Sequence, residues 1–445
     1  MKRRFLSLML ILATLSACLY GCGSSDDGAA ETTPPTTQPA FSATIDGDAV
    51  CDTKITASVA KEAGSIISCQ WYLDGKPLAG AVEKTLHVPV TAGGKKLKFT
   101  AVTKNGRAES EEISVTGTES ETRSMAGIFH DVKIIGRCII LDTAVTADFS
   151  GSGFEANLKV NSGDVKLSFQ AHHDLHLIVY VDGKQVDRPR FNTGERTLTI
   201  PVSAGEHTIK VLKETEVSTG GASLTLKSLS FDGDILERPA DKDLYIEYVG
   251  DSIVCGDGAL GKYTFGQIWK LEDHSATNSF AYFASETLDA DYSLFARGGI
   301  GLLQPAGDYV MGDLYYRANL YRDDSSYTYP RTPDIIVMKL GSNDGTSDLP
   351  AFKKALEQFI DLVRMIHGSE PKLIWTGSNE LQRNVMNEII AARAGKDNNL
   401  YAFCFGYGGS GSAALATQTA GHPDAAEQKA YGDALVQFLK DNNLA

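Results

Sequence analysis

Ser252, Gly299, Asn343 and His422 are the residues here whose types and settings fit one chemistry, and that chemistry is acyl transfer. Ser252 stands in Gly250-Asp251-Ser252-Ile253, at the end of a short apolar run. Its hydroxyl is a weak nucleophile until a neighbouring base takes the proton. His422, followed by Pro423, is a base of the right type, because imidazole changes charge near neutral pH. The attacked carbonyl oxygen becomes negative and needs donors. Asn343, in Gly341-Ser342-Asn343-Asp344-Gly345, offers a side-chain amide, and Gly299, in Arg297-Gly298-Gly299-Ile300-Gly301, offers a backbone N–H that a ligand can approach closely. Each residue also has an ordinary explanation. A Gly-Asp-Ser is a common turn or helix cap, Asn makes Asx-turns, glycines loosen loops, and the chain has 9 histidines. Their order along the chain says more than any one of them.

Such residues act only if separate elements hold them together. After Pro239, short apolar runs bounded by glycine alternate with helical patterns. LYIEYVG precedes a helix near 275–290, SLFARGG follows, and DIIVMKLG precedes a helix near 350–367. KLIWTG precedes a helix near 381–395, and LYAFCFG one near 424–441. This alternation predicts a parallel sheet with helices on both faces, an α/β/α arrangement. Reactive groups in such sheets collect at the carboxyl ends of the strands, where Ser252, Gly299 and Asn343 stand.

Serine after the first strand, glycine after the second, asparagine after the third and histidine before the last helix form an ordered set over residues 243–445. That set resembles the SGNH (GDSL-like) hydrolase superfamily, whose catalytic domain is flavodoxin-like. Upstream, residues 121–240 alternate as strands do, in HLIVYVDGKQV, RTLTIPV and HTIKVLKETE, and lead directly into YVGDSIVCGDG. A β-sandwich in that position, with LEDHSATNSFAYFASETLDADYSLFARGGIGL and AGHPDAAEQKAYGDAL further on, is similar to family-2 carbohydrate esterases, the acetylxylan and acetylglucomannan esterases. The resemblance implies a jelly-roll domain followed by the catalytic domain. It implies serine-dependent removal of acetyl groups from plant polysaccharides or oligosaccharides such as glucomannan or xylan, including 6-O-acetyl hexoses. Ser252 would be the nucleophile and His422 the base. The Ser252 and Gly299 N–H groups and the Asn343 amide would hold the oxyanion, and no cofactor or metal would be needed.

The sequence departs from the pattern twice. Many SGNH enzymes have an Asp three residues before the His, where this chain has Thr419, so a Ser–His dyad with the imidazole oriented by a backbone carbonyl is implied. Family members also often place an aromatic sugar platform after the second-block glycine, where this chain reads Leu302-Leu303-Gln304-Pro305; Trp269, Tyr309 and Trp375 are the available substitutes. Alternatives are a general short-chain ester hydrolase or acyltransferase of the same type, and a non-catalytic carbohydrate-binding surface lipoprotein.

The rest of the chain bears on location. Residues 1–21 pair a basic start, Lys2-Arg3-Arg4, with an apolar run too short to span a bilayer, then Leu15-Ser16-Ala17-Cys18. That ending resembles a bacterial lipobox, with Cys18 as the lipidated residue and Cys22 as the alternative. It implies a secreted lipoprotein anchored to the bacterial cell membrane and facing outside. Residues 22–40 are rich in Pro and Thr and poor in large apolar groups, which predicts a disordered spacer. Residues 41–120 read as short strands with Asp74-Gly75 and Asn105-Gly106 turns around Trp71, resembling an immunoglobulin-like module. Cys51 and Cys69 fall in that module and are one candidate disulfide; no CxxC or zinc spacing exists. The net charge is −14, which argues against nucleic acid as a partner. Acetylated carbohydrate and, through the anchor, the membrane are the partners expected.

Overall fold

Stretches of different sequence texture build three separate sheets. The computed structural model describes residues 40–118, 120–216, 223–261, 270–318, 327–377, 379–405 and 422–445. The leader, Cys18, Cys22, the spacer up to Pro39, Trp269 and Thr419 lie outside the described residues.

The first sheet has eight strands between Ala40 and Ser114. Alternating side chains put Ile55 and Ala57 inside. At the Asp74-Gly75 turn both φ angles are positive, 47° and 75°, as a tight two-residue hairpin demands. Trp71 is fully buried, packs edge-on against Phe99 and donates its indole N–H to the Glu83 carbonyl at 2.8 Å. The Cys51–Cys69 disulfide does not form. Cys69 Sγ points to the Val82 carbonyl while Cys51 packs beside Gly93 and Gly117, and all five cysteines among the described residues are free.

The second sheet has eleven strands between Thr122 and Ile235, organised on the long strand Gly153–Ala171. Its inward residues, among them Phe154, Leu167, Phe169 and Leu229, form one apolar core. It meets the first sheet through His130 Nδ1 to the Ala79 carbonyl at 2.7 Å, and through Thr91 to Asp131 at 2.7 Å.

The third sheet is parallel. Its strands are β1 (Tyr245–Gly250), β2 (Asp291–Ala296), β3 (Ile335–Lys339), β4 (Lys372–Gly377) and β5 (Leu400–Cys404), in the order β2-β1-β3-β4-β5. This is the doubly wound order with its switch point between β1 and β3. Helices α1 (Ser252–Cys255), α2 (Phe280–Thr287), α3 (Leu349–His367), α4 (Glu380–Arg393) and α5 (Ala425–Asp441) complete it. Phe280 of α2 and Leu435 of α5 pack in one core with Ile246 and Val337, while Phe352 of α3 and Val385 of α4 pack in another with Ile336 and Trp375. Both faces are therefore covered. Each β run is almost wholly apolar because it touches helices or the second sheet on both sides.

Candidate active site

The strand β1 ends in a turn that only this local sequence tolerates. A Cβ at Gly250 would sit 2.8 Å from the Lys339 carbonyl, so the neighbouring strands approach too closely for any side chain. Asp251 then leaves in an extended conformation and accepts the Ile253 N–H at 3.1 Å, capping α1. Gly256, at φ 76°, ends α1 after one turn. Ser252 is thus the first helical residue, 6% exposed, at the carboxyl end of the sheet.

His422 reaches the same point from just before α5. Asp424 caps that helix by accepting the Ala426 and Glu427 N–H groups, each at 3.0 Å, and Glu427 returns a bond to the Asp424 N–H at 3.2 Å. Buried Gln428 fixes the position of α5. It donates to the Ile253 carbonyl at 3.0 Å and accepts the Phe280 N–H at 2.8 Å. One helix thereby grips the turn that carries the serine. The result is a 2.6 Å hydrogen bond between Ser252 Oγ and His422 Nε2.

Asn343 follows β3 in a loop held from below by Gln382 of α4, which donates to the Gly341 and Gly345 carbonyls at 2.8 Å each. Its amide nitrogen donates to the Ile300 carbonyl at 2.8 Å, which joins the third-strand loop to the second. Asp344 strengthens that join by accepting the Leu302, Leu303 and Gln304 N–H groups at 3.1, 2.6 and 2.9 Å. Gly301 lies against that carboxylate, and a Cβ there would collide with it. Gly299 is exposed with φ 77°, and a Cβ there would meet nothing within 4 Å. Left-handed backbone, more than crowding, is what asks for glycine at this position.

Below the site lies buried charge. Lys339, at the end of β3, donates to Ser342 Oγ at 2.6 Å and pairs with Asp251 at 3.3 Å; lysine and aspartate are both 1% exposed. Asp257 and His274 form a second buried pair at 2.6 Å. Burial pushes the Asp257 carboxyl up; burial also opposes charge on His274, but the Asp257 carboxylate outweighs it and raises that imidazole. Burial pushes the Cys255 thiol well up, which leaves it unreactive.

The structure brings Ser252 and His422 together and links the Asn343 loop to the Gly299 loop. It rules out Trp375 as a sugar platform, because that ring is fully buried and its N–H is bound to the Leu340 carbonyl at 2.9 Å. Tyr309 lies under the Arg317 guanidinium, 4.6 Å from ring centre to charge. Lys339, Asp344, Gln382 and Gln428 escaped the sequence reading. Their only sequence signal is a polar residue inside or just beside an apolar run, and Asp344 lies directly beside a residue that was singled out.

Residues 134–239 match the family model "Carbohydrate esterase 2 N-terminal". A cellulase/esterase, CelE, of Acetivibrio thermocellus is 25% identical over 265 residues, 54% of this chain and 31% of that protein. An acetylxylan esterase / glucomannan deacetylase of Cellvibrio japonicus is 23% identical over 267 residues, 57% of this chain and 72% of that protein. The chain therefore matches only about a third of the first relative's length. The solved structure of a family two carbohydrate esterase from Clostridium thermocellum, in complex with cellohexaose, superposes with a TM-score of 0.63 at 21% identity, over 70% of this chain and 99% of that one. At that identity the likeness shows the fold. Residues 134–239 are thus similar to the N-terminal domain of carbohydrate esterase 2, and the chain shares the fold of the family-two structure.

Proposed function

We propose that the chain is a carbohydrate O-acetyl esterase. The observation that carries the reading is the 2.6 Å contact of Ser252 Oγ with His422 Nε2 at the carboxyl end of β1, in a fold shared with family-two carbohydrate esterases. The activities of the two relatives, a cellulase/esterase and an acetylxylan esterase / glucomannan deacetylase, support acetylated plant polysaccharide as the substrate class.

In this mechanism His422 Nε2 takes the Ser252 proton as Oγ attacks the acetyl carbonyl. The tetrahedral oxyanion accepts hydrogen bonds from the Ser252 and Gly299 N–H groups and the Asn343 amide. His422 returns the proton to the departing sugar hydroxyl. Water then attacks the acetyl-enzyme, its proton passing to the same nitrogen; the bond from the acetyl carbon to Ser252 Oγ breaks as His422 returns that proton to Oγ, and acetic acid leaves.

The same reading assigns residues 241–445 to an SGNH catalytic domain, 121–240 to a jelly roll, and 41–120 to an immunoglobulin-like module that spaces the enzyme from its anchor. Residues 1–21 would be a lipoprotein leader with Cys18, or alternatively Cys22, lipidated outside the cell. Acetate release from acetylated glucomannan, acetylated xylan and p-nitrophenyl acetate, measured side by side with the Ser252→Ala protein, tests the activity. Release that survives in the alanine protein sinks the site. A palmitate analogue incorporated into the wild type but not into a Cys18/Cys22 double variant supports the anchor; label kept by the double variant removes it.

A further inference from the structure

The segment Lys213-Glu214-Thr215-Glu216, at the end of a sandwich strand, is fully buried although three of its four residues are charged. Three of them serve the sandwich and its join to α2. Lys213 donates to the Asp148 and Thr215 carbonyls, and Thr215 Oγ1 accepts the His176 N–H at 3.0 Å. Glu214 accepts from Ser275 Oγ at 2.6 Å and the Thr277 N–H at 3.0 Å, and pairs with Arg188. The fourth does something else. Glu216 Oε1 accepts the Gly298 N–H at 2.7 Å, inside the loop that follows β2.

That loop is held on each side of Gly299. Arg297 N–H bonds to the Gly250 carbonyl at 3.1 Å, Gly298 N–H to Glu216, Ile300 N–H back to the Arg297 carbonyl at 3.5 Å, and the Ile300 carbonyl accepts from Asn343. Among the described residues, Gly299 alone in this stretch has a backbone N–H with no partner. The loop therefore spends its neighbouring donors on the protein and keeps one aimed outward. A left-handed glycine is soft about φ and would not hold that aim by itself. A bond from a buried carboxylate to the preceding N–H, stronger than a neutral one, removes that freedom.

We infer that Glu216, a residue of the sandwich, is a positioning residue for the oxyanion site, fixing Gly298 so that the Gly299 N–H faces the reacting carbonyl. The inference rests on the acyl-transfer reading of Ser252 and Gly299. It makes the sandwich part of the catalytic apparatus.

The test compares Glu216→Gln, Glu216→Asp and Glu216→Ala in the full chain. Glutamine keeps an acceptor oxygen in place. Aspartate keeps the charge but draws the oxygen back by one methylene. For p-nitrophenyl acetate, the Asp and Ala proteins are expected to lose about 10–100-fold in kcat, less than outright loss of an oxyanion donor, with KM within about twofold. The Gln protein is expected to stay within about threefold of wild type. Inhibition by methylboronic acid, whose Ser252 adduct puts a hydroxyl in the oxyanion site, should weaken in step with kcat, while product inhibition by acetate should not move. Three results overturn the proposal: a folded Asp or Ala protein with wild-type kcat, a Gln protein no better than Asp, or boronate affinity unchanged where kcat has fallen. Should the Ala protein not fold, the Gln and Asp pair decides by itself. The Ser252→Ala control, read on the same substrate, separates failure of this inference from failure of the acyl-transfer reading.

Discussion

Lys339→Met is the substitution that most directly probes what holds Ser252, the proposed nucleophile. Lys339 Nζ is 3.3 Å from an Asp251 carboxylate oxygen, both side chains are buried, and the other Asp251 oxygen caps the Ile253 N–H at 3.1 Å. Methionine keeps the length and apolar stem but removes the cation. Asp251 is then a buried carboxylate with a single bond, the case in which breaking a pair costs about 3–5 kcal/mol. For a domain of this size that corresponds to a fall of roughly 6–20 °C in Tm. The Asp251 turn also sets where Ser252 Oγ sits, and a displacement of about 1 Å at a reacting atom costs on the order of 10² in rate. The informative partner is Asp251→Asn, because asparagine caps a helix as well as aspartate does. The double variant removes both charges and keeps the cap, so it should recover most of the Tm lost by Lys339→Met alone. Calorimetry on the wild type, both single variants and the double gives the coupling, and acetate release gives the rate. Additive losses, or a single variant within about 1 kcal/mol of wild type, would refute the argument, since exposed pairs behave that way and buried ones do not.

The remaining expectations are shorter. Ser252→Ala should abolish turnover, by about 10⁶ in kcat, while Asn343→Ala should cost about 10²–10³, because two backbone donors persist; equal losses would mean that the Asn343 bond to Ile300 holds the loops as well. Asp424→Ala should cost about 1 kcal/mol of stability as a lost helix cap and leave kcat nearly unchanged, and a loss near 10⁴ would make Asp424 a triad acid. His130, bound to the Ala79 carbonyl between the first two sheets, is pushed down to about 4 by burial, with that bond opposing the shift. Its unfolded value is about 6.5, so the unfolded chain binds the extra proton between those values, and stability should fall by roughly 3 kcal/mol as pH drops from 6.5 to 4. His130→Gln should flatten the Tm profile over that window, and an unchanged profile would refute the assignment.

How much of this was legible beforehand depends on whether a feature is local. The five parallel strands were readable because each is a short apolar run closed by glycine or a polar residue. The helices were readable because Asp348, Asn379 and Asp424 precede them as side-chain caps. The long strand Gly153–Ala171 was not readable as one element. Its Ser162-Gly163-Asp164 reads as a turn, yet the chain carries that break inside the strand, with Gly163 at φ 75° and register shifts between Val160 and Lys166. Ser252 and His422 are 170 positions apart, and only the order of motifs along the chain brings them together in a sequence; nothing local does. The buried charges were beyond reach for the same reason. Lys339 needs Asp251 and Glu216 needs Gly298, and each partner lies on a different element.

Those distant partners tie the second sheet to the parallel one. Glu247 sits in the middle of β1, fully buried, five positions before Ser252. A lone carboxylate there would be intolerable in a strand packed on both faces. Its counter-charge is Arg137, which comes from the sandwich side, donates to Glu247 at 2.9 and 3.2 Å, and stacks on Phe295 at 3.9 Å. Tyr315 completes the satisfaction of Glu247 at 2.5 Å. The strand that leads to Ser252 therefore cannot bury its own middle without Arg137, just as the Gly298 N–H finds its acceptor in Glu216, beyond a strand of the second sheet. Two separate contacts, one beneath β1 and one beside the Gly298 loop, thus make the second sheet a condition of the candidate site's geometry.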